Sequence, residues 1–135
     1  MAPDLRSAGV ITTVPVADLD RAQAFYLSVL GLDHIETSEA GVLCRAGDGR
    51  VLLYRSTAPA PGHTLAGFEV DRLDPVIETL AARGVVFEDY DFPGLQTVDH
   101  IAWIGPERAA WFRDSEGNVL SISEPWRRPT DPAPA

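Results

Sequence analysis

The sequence has one cysteine, no lysine and no long apolar run. The single cysteine, Cys44, excludes an internal disulfide framework, and its apolar surroundings predict a small buried residue rather than a nucleophile. No apolar run approaches membrane-spanning length, and residues 1–11 lack the basic and apolar regions of a signal peptide. These absences predict a cytoplasmic protein.

Positive charge is also scarce. All eleven basic residues are arginines, against 20 acidic residues, which gives a formal net charge of −9. Phosphate binding needs a clustered positive field, so this balance disfavours nucleic acid and anionic membranes as partners. The only basic pair, Arg127 and Arg128, lies in a proline-rich tail. We expect the partner to be a small neutral or cationic molecule, or another protein.

What the chain does contain is an internal repeat, within a length of 135 residues that suits one domain. Residues 41–54 align with residues 109–122 at an offset of 68, and residues 16–20 align with residues 70–74 at an offset of 54. The second copy has therefore gained about 14 residues between its helix and its final hairpin.

The first copy has the pattern of a β-α-β-β-β module. Residues 10–16 are rich in β-branched side chains, and Asp18 can cap a helix that ends at Gly31. Strands are expected around residues 34–37, 41–45 and 50–55, and a Gly47-Asp48-Gly49 turn joins the last two.

The second copy repeats this order. A strand at 64–70 precedes a helix with Pro75 in its first turn and Gly84 at its end, and residues 85–88 form the next strand. Residues 109–113 and 118–123 form the closing hairpin. We expect a single domain over 1–135, divided into module one (8–56), a linker (57–62), module two (63–124) and a flexible tail (125–135).

Two segments of this repeat resemble a known family. They are residues 16–26 with residues 29–32 (VADLDRAQAFY and VLGL), and residues 110–118 (AWFRDSEGN). The chain resembles the vicinal oxygen chelate superfamily of glyoxalases, bleomycin resistance proteins and extradiol dioxygenases. This resemblance implies an α+β fold in which tandem βαβββ modules form a curved mixed-sheet cup, and it suggests a homodimer.

Metal-dependent members of that superfamily take their ligands from the first and last strands of each module. The repeat projects these places onto Ile11 and Leu65 in the first strands, and onto Leu53 and Ser121 in the last. Three hydrocarbons and one neutral hydroxyl cannot hold a divalent cation. We therefore expect no metal and no cofactor.

An apolar cup floor without metal is typical of a small-molecule site. Residues 88–103, which we call the insertion, are rich in aromatic and acidic side chains and could fold over that floor, with Asp91 and His100 as weak catalytic candidates. Trp111 and Phe112 must face opposite ways, and the sequence leaves open which of them lines the cup, while Ser121 and Ser123 share a face. The predicted ligand-binding residues are Ile11, Thr13, Leu53, Leu65, Tyr90, Phe92, Trp103, Trp111, Ser121 and Ser123.

Alternatives are open both for the insertion and for the function. The insertion could instead extend the strand before the closing hairpin and pack against a second subunit. The favoured function is metal-free binding of a small apolar or aromatic molecule, as in a sequestering or resistance protein. The alternative is an enzyme of the same superfamily, a lyase, isomerase or dioxygenase-like protein, which acts without metal or through unrecognised ligands. A third hypothesis is a domain that acts mainly through protein contacts.

Overall fold

A computed structural model describes residues 3–124, and the predicted tail at 125–135 lies outside the described residues. The chain divides into two compact units between Pro59 and Ala60, inside the predicted linker. Among the described residues, no helix has the length and apolar character needed to cross a membrane.

Module one has the predicted order of elements. Its strands are β1 (Ile11–Val16), β2 (Asp33–Ser38), β3 (Gly41–Ala46) and β4 (Gly49–Arg55). They form a sheet in the order β1-β4-β3-β2, in which β1 is parallel to β4 and the other pairs are antiparallel. A parallel pair needs a crossover connection, and here it contains helix α1 (Leu19–Ala24), β2 and β3.

The first helix begins as predicted, but its second half is wider than an α-helix. Asp18 Oδ1 accepts a hydrogen bond from the Arg21 amide at 3.0 Å, which caps α1. Residues Phe25–Val29 then form a π-helical turn, closed by a 3.0 Å bond from the Leu30 amide to the Phe25 carbonyl. Tyr26 lies in this turn and is fully buried.

The core of module one lies between this helix and one face of the sheet. The strand residues Val14, Val42, Cys44 and Leu53 have almost no exposed surface. The predicted burial of Cys44 is thus confirmed, and desolvation raises the pKa of its thiol, which keeps it protonated.

Module two has the same core order with extra strands. It contains β5 (Thr64–Glu69), α2 (Leu73–Ala82), β6 (Asp91–Phe92), β7 (Leu95–Gln96), β8 (Ala102–Ile104), β9 (Glu107–Arg113) and β10 (Val119–Ser123). The main sheet has the order β5-β10-β9-β8, with β5 parallel to β10, while β6 and β7 form a small separate hairpin. A turn at Pro93-Gly94 joins the two strands of that hairpin, and Gly94 has a φ of 88°.

The strand predicted at residues 85–88 does not form as a regular strand. Only Phe87 makes a bridge, to Phe112 of β9, and the Glu88 amide donates to the Trp111 carbonyl at 2.8 Å. In module one, β2 pairs along β3 with one bulge between His34 and Glu36, whereas in module two the neighbour of β9 is split into residues 87–88 and β8. The sequence between these two pieces leaves the sheet, because its Pro-Gly turn and polar side chains favour a local hairpin.

Helix α2 is held by groups distant in sequence. The Leu73 amide in its first turn donates to Glu124 Oε1 at 3.1 Å, and no side chain at the N-cap position does so. Arg108 joins this contact, since its Nη2 lies 2.9 Å from both Glu124 Oε1 and Asp74 Oδ2. These two hydrogen bonds raise the pKa of Arg108, because both favour the charged guanidinium.

Strand pairing corrects the repeat register in the last strand. In module one Arg45 pairs with Arg50, but in module two the equivalent Arg113 pairs with Val119, so the second hairpin loop is longer. The offset between modules therefore rises from 68 before the turn to 69 after it. Ser121 corresponds to Leu52, and the projected equivalence with Leu53 was one residue off.

Candidate functional site

The sheet of module two has two different faces. Arg108 reaches Asp74 of α2, and alternation along β9 places Phe112 on that same side, where it is 1% exposed. Trp111 therefore points to the opposite side, which we call the helix-free face of module two. The sequence left open which of Trp111 and Phe112 would face a site, and packing with α2 decides the question.

Four residues form a row across this helix-free face. Trp111 of β9 pairs with Ser121 of β10, and Ser121 pairs with Gly67 of β5. On the other side of Trp111 lies Tyr90, whose ring centroid is 5.6 Å from that of Trp111 at an interplanar angle of 73°. A Cβ added at Gly67 would lie 2.8 Å from Ser121 Oγ, so the backbone is bare at this end of the row. The row thus combines two aromatic rings, a hydroxyl and an open stretch of backbone.

The insertion supplies the aromatic end of the row. Phe92 is half exposed, and its ring centroid lies 5.8 Å from that of Tyr90. Nearby, the Glu88 carboxylate accepts a 2.7 Å hydrogen bond from Arg113 Nε. Desolvation raises the pKa of Tyr90, and the nearby charge of Glu88 raises it further, while Arg113 partly opposes both. Tyr90 therefore stays a neutral phenol over the physiological pH range.

The two weak catalytic candidates make separate contacts. His100 Nδ1 lies 3.0 Å from Asp89 Oδ1, and its ring lies 6.1 Å from that of Phe87. Asp91 instead accepts a 3.1 Å hydrogen bond from Gln96 across the β6–β7 hairpin. The structure therefore shows Asp91 and His100 with different partners, and neither contact involves the row on the sheet.

Trp103 lies on the other side of the sheet from Trp111. It pairs with Arg108, whose guanidinium carbon is 5.9 Å from the Trp103 ring centroid, and paired residues share a face. Trp103 was predicted to contact a ligand together with Tyr90 and Phe92. The register corrects this prediction, because it places Trp103 on the other face of the sheet. The two serines remain together: Ser123 pairs with Ala109, two residues along from Ser121 on the same face.

Module one, taken by itself, has a comparable helix-free face with different contents. Thr13 pairs with Leu52, and Pro15 pairs with Tyr54. The side chains of these residues point away from the side of the sheet on which Val14 is buried. Alternation along β1 places Ile11, which is 41% exposed, on this face with Thr13. Leu53 is fully buried on the α1 side, so its assignment to a binding surface is corrected.

The side chains at the metal-ligand places of the family do not fit a divalent cation. On the helix-free positions of the first and last strands, module one presents Ile11, Thr13, Leu52 and Tyr54, and module two presents Leu65, Gly67, Ser121 and Ser123. Leu65 lies at a β-bulge in the pairing of β5 with β10. These residues offer hydrocarbon and neutral hydroxyls, whereas such a cation needs imidazole or carboxylate donors. Within residues 3–124, no group of three or more His, Cys, Asp or Glu side chains could hold a metal ion.

Sequence reasoning missed Gly67 and Thr97 as parts of this arrangement. A glycine inside a strand pattern does signal a close approach to the backbone, so Gly67 was detectable. Thr97, whose Oγ1 accepts a 2.8 Å hydrogen bond from the Tyr90 amide, carried no such signal, because this contact depends on the fold of the insertion.

The paired βαβββ modules define the fold class, and the comparison with known families agrees with it. A model of the Glyoxalase/Bleomycin resistance protein/Dioxygenase superfamily matches residues 10–122. The chain belongs to this superfamily. None of the curated proteins matched it.

Solved structures share the fold at low sequence identity. TnmS3, an antibiotic binding protein from Streptomyces sp. CB03234, is 22% identical with a TM-score of 0.63, over 89% of this chain and 97% of that one. Lactoylglutathione lyase from Agrobacterium tumefaciens is 23% identical with a TM-score of 0.64, over 90% and 96%. A glyoxalase/bleomycin resistance protein/dioxygenase from Alicyclobacillus acidocaldarius is 16% identical with a TM-score of 0.67, over 90% and 93%.

Proposed function

We propose that this protein binds a small, planar and largely apolar molecule on the helix-free face of module two, without a metal ion. The observation that carries the proposal is the row from Tyr90 through Trp111 and Ser121 to Gly67. Two aromatic rings at a steep angle can hold a flat ligand against one ring and the edge of the other. The hydroxyl supplies orientation, and the missing side chain at Gly67 leaves space.

Charge favours a neutral or cationic ligand over an anion. The chain carries a net charge of −9, and Glu69 is exposed next to Gly67 on β5. Arg113, whose charge acts on Tyr90 of the row, is already paired with Glu88 at 2.7 Å. Aromatic faces attract cations through their quadrupole, so a planar cation suits this surface best.

A sequestering or resistance role follows from this kind of binding and is part of the proposal. The similarity to TnmS3, which is an antibiotic binding protein, supports the role by analogy of fold. A cytoplasmic location and a homodimer also belong to the proposal, and they rest on composition and on the family resemblance. The helix-free residues Ile11 and Thr13 of module one remain predicted ligand contacts.

The test is a fluorescence titration with acridine orange, a planar cation, and with the anion anilinonaphthalene sulfonate for comparison. We expect Trp111→Leu to weaken acridine orange binding by about tenfold, equivalent to about 1.4 kcal/mol. The matched control is Leu43→Ala, which changes the corresponding position of module one and should leave binding unchanged. Equal losses in both variants, or no binding by the unaltered protein, would contradict the proposal.

Native mass spectrometry of protein purified without chelator separates this function from the enzymatic alternative. It reports bound metal, retained small molecules and subunit number in one measurement. One stoichiometric divalent ion per chain would overturn the metal-free part of the proposal and favour a metal-dependent lyase, isomerase or dioxygenase.

A further inference from the structure

We propose that Asp89, Thr97 and His100 of the insertion act as positioning residues that hold Tyr90 against Trp111 and thereby set ligand affinity. The ligand part of this inference rests on the function proposed above. The positioning part concerns the protein alone, so the two can be tested separately.

Thr97 holds the backbone of Tyr90 from both sides. Its Oγ1 accepts a hydrogen bond from the Tyr90 amide at 2.8 Å, and its own amide donates to the Tyr90 carbonyl at 2.9 Å. A residue bound through both its amide and its carbonyl has little freedom to rotate. The position of Thr97 therefore fixes the backbone from which the Tyr90 side chain projects toward Trp111.

Asp89 connects Thr97 to His100. Its Oδ1 is 3.3 Å from Thr97 Oγ1, whose one hydroxyl hydrogen has two acceptors at that distance, this carboxylate and the Tyr90 carbonyl, and the charged carboxylate is the stronger of the two. The same oxygen lies 3.0 Å from His100 Nδ1. A carboxylate that accepts two hydrogen bonds fixes both donors, and charge-assisted bonds are stronger than neutral ones.

His100 has a left-handed backbone conformation, which is uncommon for residues other than glycine. Asp99 and His100 have φ values of 51° and 73°, in the left-handed region that favours glycine. They form the turn between Val98 and Ile101, whose backbone groups hydrogen bond to each other in both directions. Such backbone conformations persist where surrounding contacts stabilise them. Here the stabilising contact is the one between the His100 imidazole and Asp89.

The hydrogen-bonded chain is anchored in the core of module two. The His100 ring lies 6.1 Å from that of Phe87, and Phe87 lies 5.7 Å from Phe112. A series of contacts thus connects Phe112, through Phe87 and the residues of the insertion, to Tyr90 and Trp111. Phe112 and Trp111 are adjacent in β9, so both ends of this series of contacts lie on one strand that is paired on both sides.

The test combines two readouts on matched variants. Thr97→Val removes the hydroxyl with little change in shape, and Thr97→Ser restores it. His100→Gly removes the imidazole while relieving the left-handed backbone. The readouts are the NMR cross-relaxation between the Tyr90 ring and the Trp111 indole without ligand, and the affinity for acridine orange.

We expect Thr97→Val and His100→Gly each to weaken the ring-to-ring signal and to lower dye affinity about tenfold. We expect Thr97→Ser to retain both, and the double variant to lose no more than either single one, since the residues act in one chain. An unchanged ring signal in both single variants would overturn the positioning role. A lost ring signal with unchanged dye affinity would overturn the binding site instead, while leaving the positioning role intact.

Discussion

Module one and module two are built from one βαβββ pattern, but they differ at the strand that borders the closing hairpin. In module one this strand, β2, pairs along β3 over its whole length apart from one bulge. In module two residues 87–88 and β8 share the edge of β9, and residues 89–101 leave the sheet between them. An edge strand has a neighbour on one side only, so a module can lose part of it and still retain the core pairings.

The interiors of the two modules also differ at equivalent places. Cys44 of β3 corresponds to Phe112 of β9, and both are buried. The larger ring of Phe112 contacts Phe87 just before the insertion, whereas Cys44 pairs with His34 on an exposed strand. The insertion is thus accompanied by a larger core side chain that anchors its base.

Truncating these two core residues should give the largest difference between the modules. Phe112→Ala removes a fully buried ring and is expected to lower the free energy of unfolding by about 3–5 kcal/mol. Cys44→Ala removes one sulfur and should cost about 1 kcal/mol. Urea denaturation measures both, and equal losses would show that the modules do not differ in this way.

Removing the helix caps should have the next largest effect. Glu124→Ala deprives the Leu73 amide and Arg108 of their acceptor and is expected to cost about 1–3 kcal/mol, because both are partly buried. In module one, Asp18→Ala removes a local cap, with an expected cost of about 1 kcal/mol. Glu124→Gln keeps an acceptor oxygen and is the control. A loss from Glu124→Gln as large as that from Glu124→Ala would assign the effect to charge.

Exchanging one side chain between the helix-free faces should change ligand binding more modestly. Gly67 of β5 corresponds to Thr13 of β1, so Gly67→Thr places the module-one side chain beside Ser121. We expect about tenfold weaker acridine orange binding, because the new Cβ would crowd the Ser121 hydroxyl. Gly62→Thr, at a position where an added Cβ would meet no atom within 4 Å, is the control and should leave affinity unchanged. Retained binding in Gly67→Thr would exclude this end of the row from the site.

The smallest effect concerns the titration of Tyr90. Its pKa is raised, so the folded state binds the phenolic proton more tightly than the unfolded chain does. The resulting stability is present below the ordinary tyrosine pKa of about 10 and is lost as pH rises through the higher folded value. Glu88→Gln should lower that pKa and Arg113→Gln should raise it, as measured by ultraviolet absorbance of the tyrosinate. Shifts of the Tyr90 pKa in the opposite directions would contradict the placement of Tyr90 beside Glu88 and Arg113.

Much of the fold was predictable from local signals in the sequence. The β-branched runs, Asp18 as a cap and glycines at the turns placed most strands and both helices close to their observed positions. The π-helical turn was not predictable, since its hydrogen bonds depend on how Tyr26 packs under the sheet. The site was less predictable than the fold. One extra residue in the second hairpin loop changed which side chains of the last strand face away from the helices.

The sequence by itself determined the duplication, the superfamily, the place of the insertion and the lack of metal-binding side chains at the projected ligand positions. These follow from residue types and their spacing, which local geometry translates directly into strands and helices. Only the tertiary structure decided that Trp111 faces away from α2, that Trp103 does not accompany it, and that Thr97 holds Tyr90. Those facts depend on strand register and on contacts between distant residues, because a shift of one residue in register turns every side chain of a strand to the opposite face.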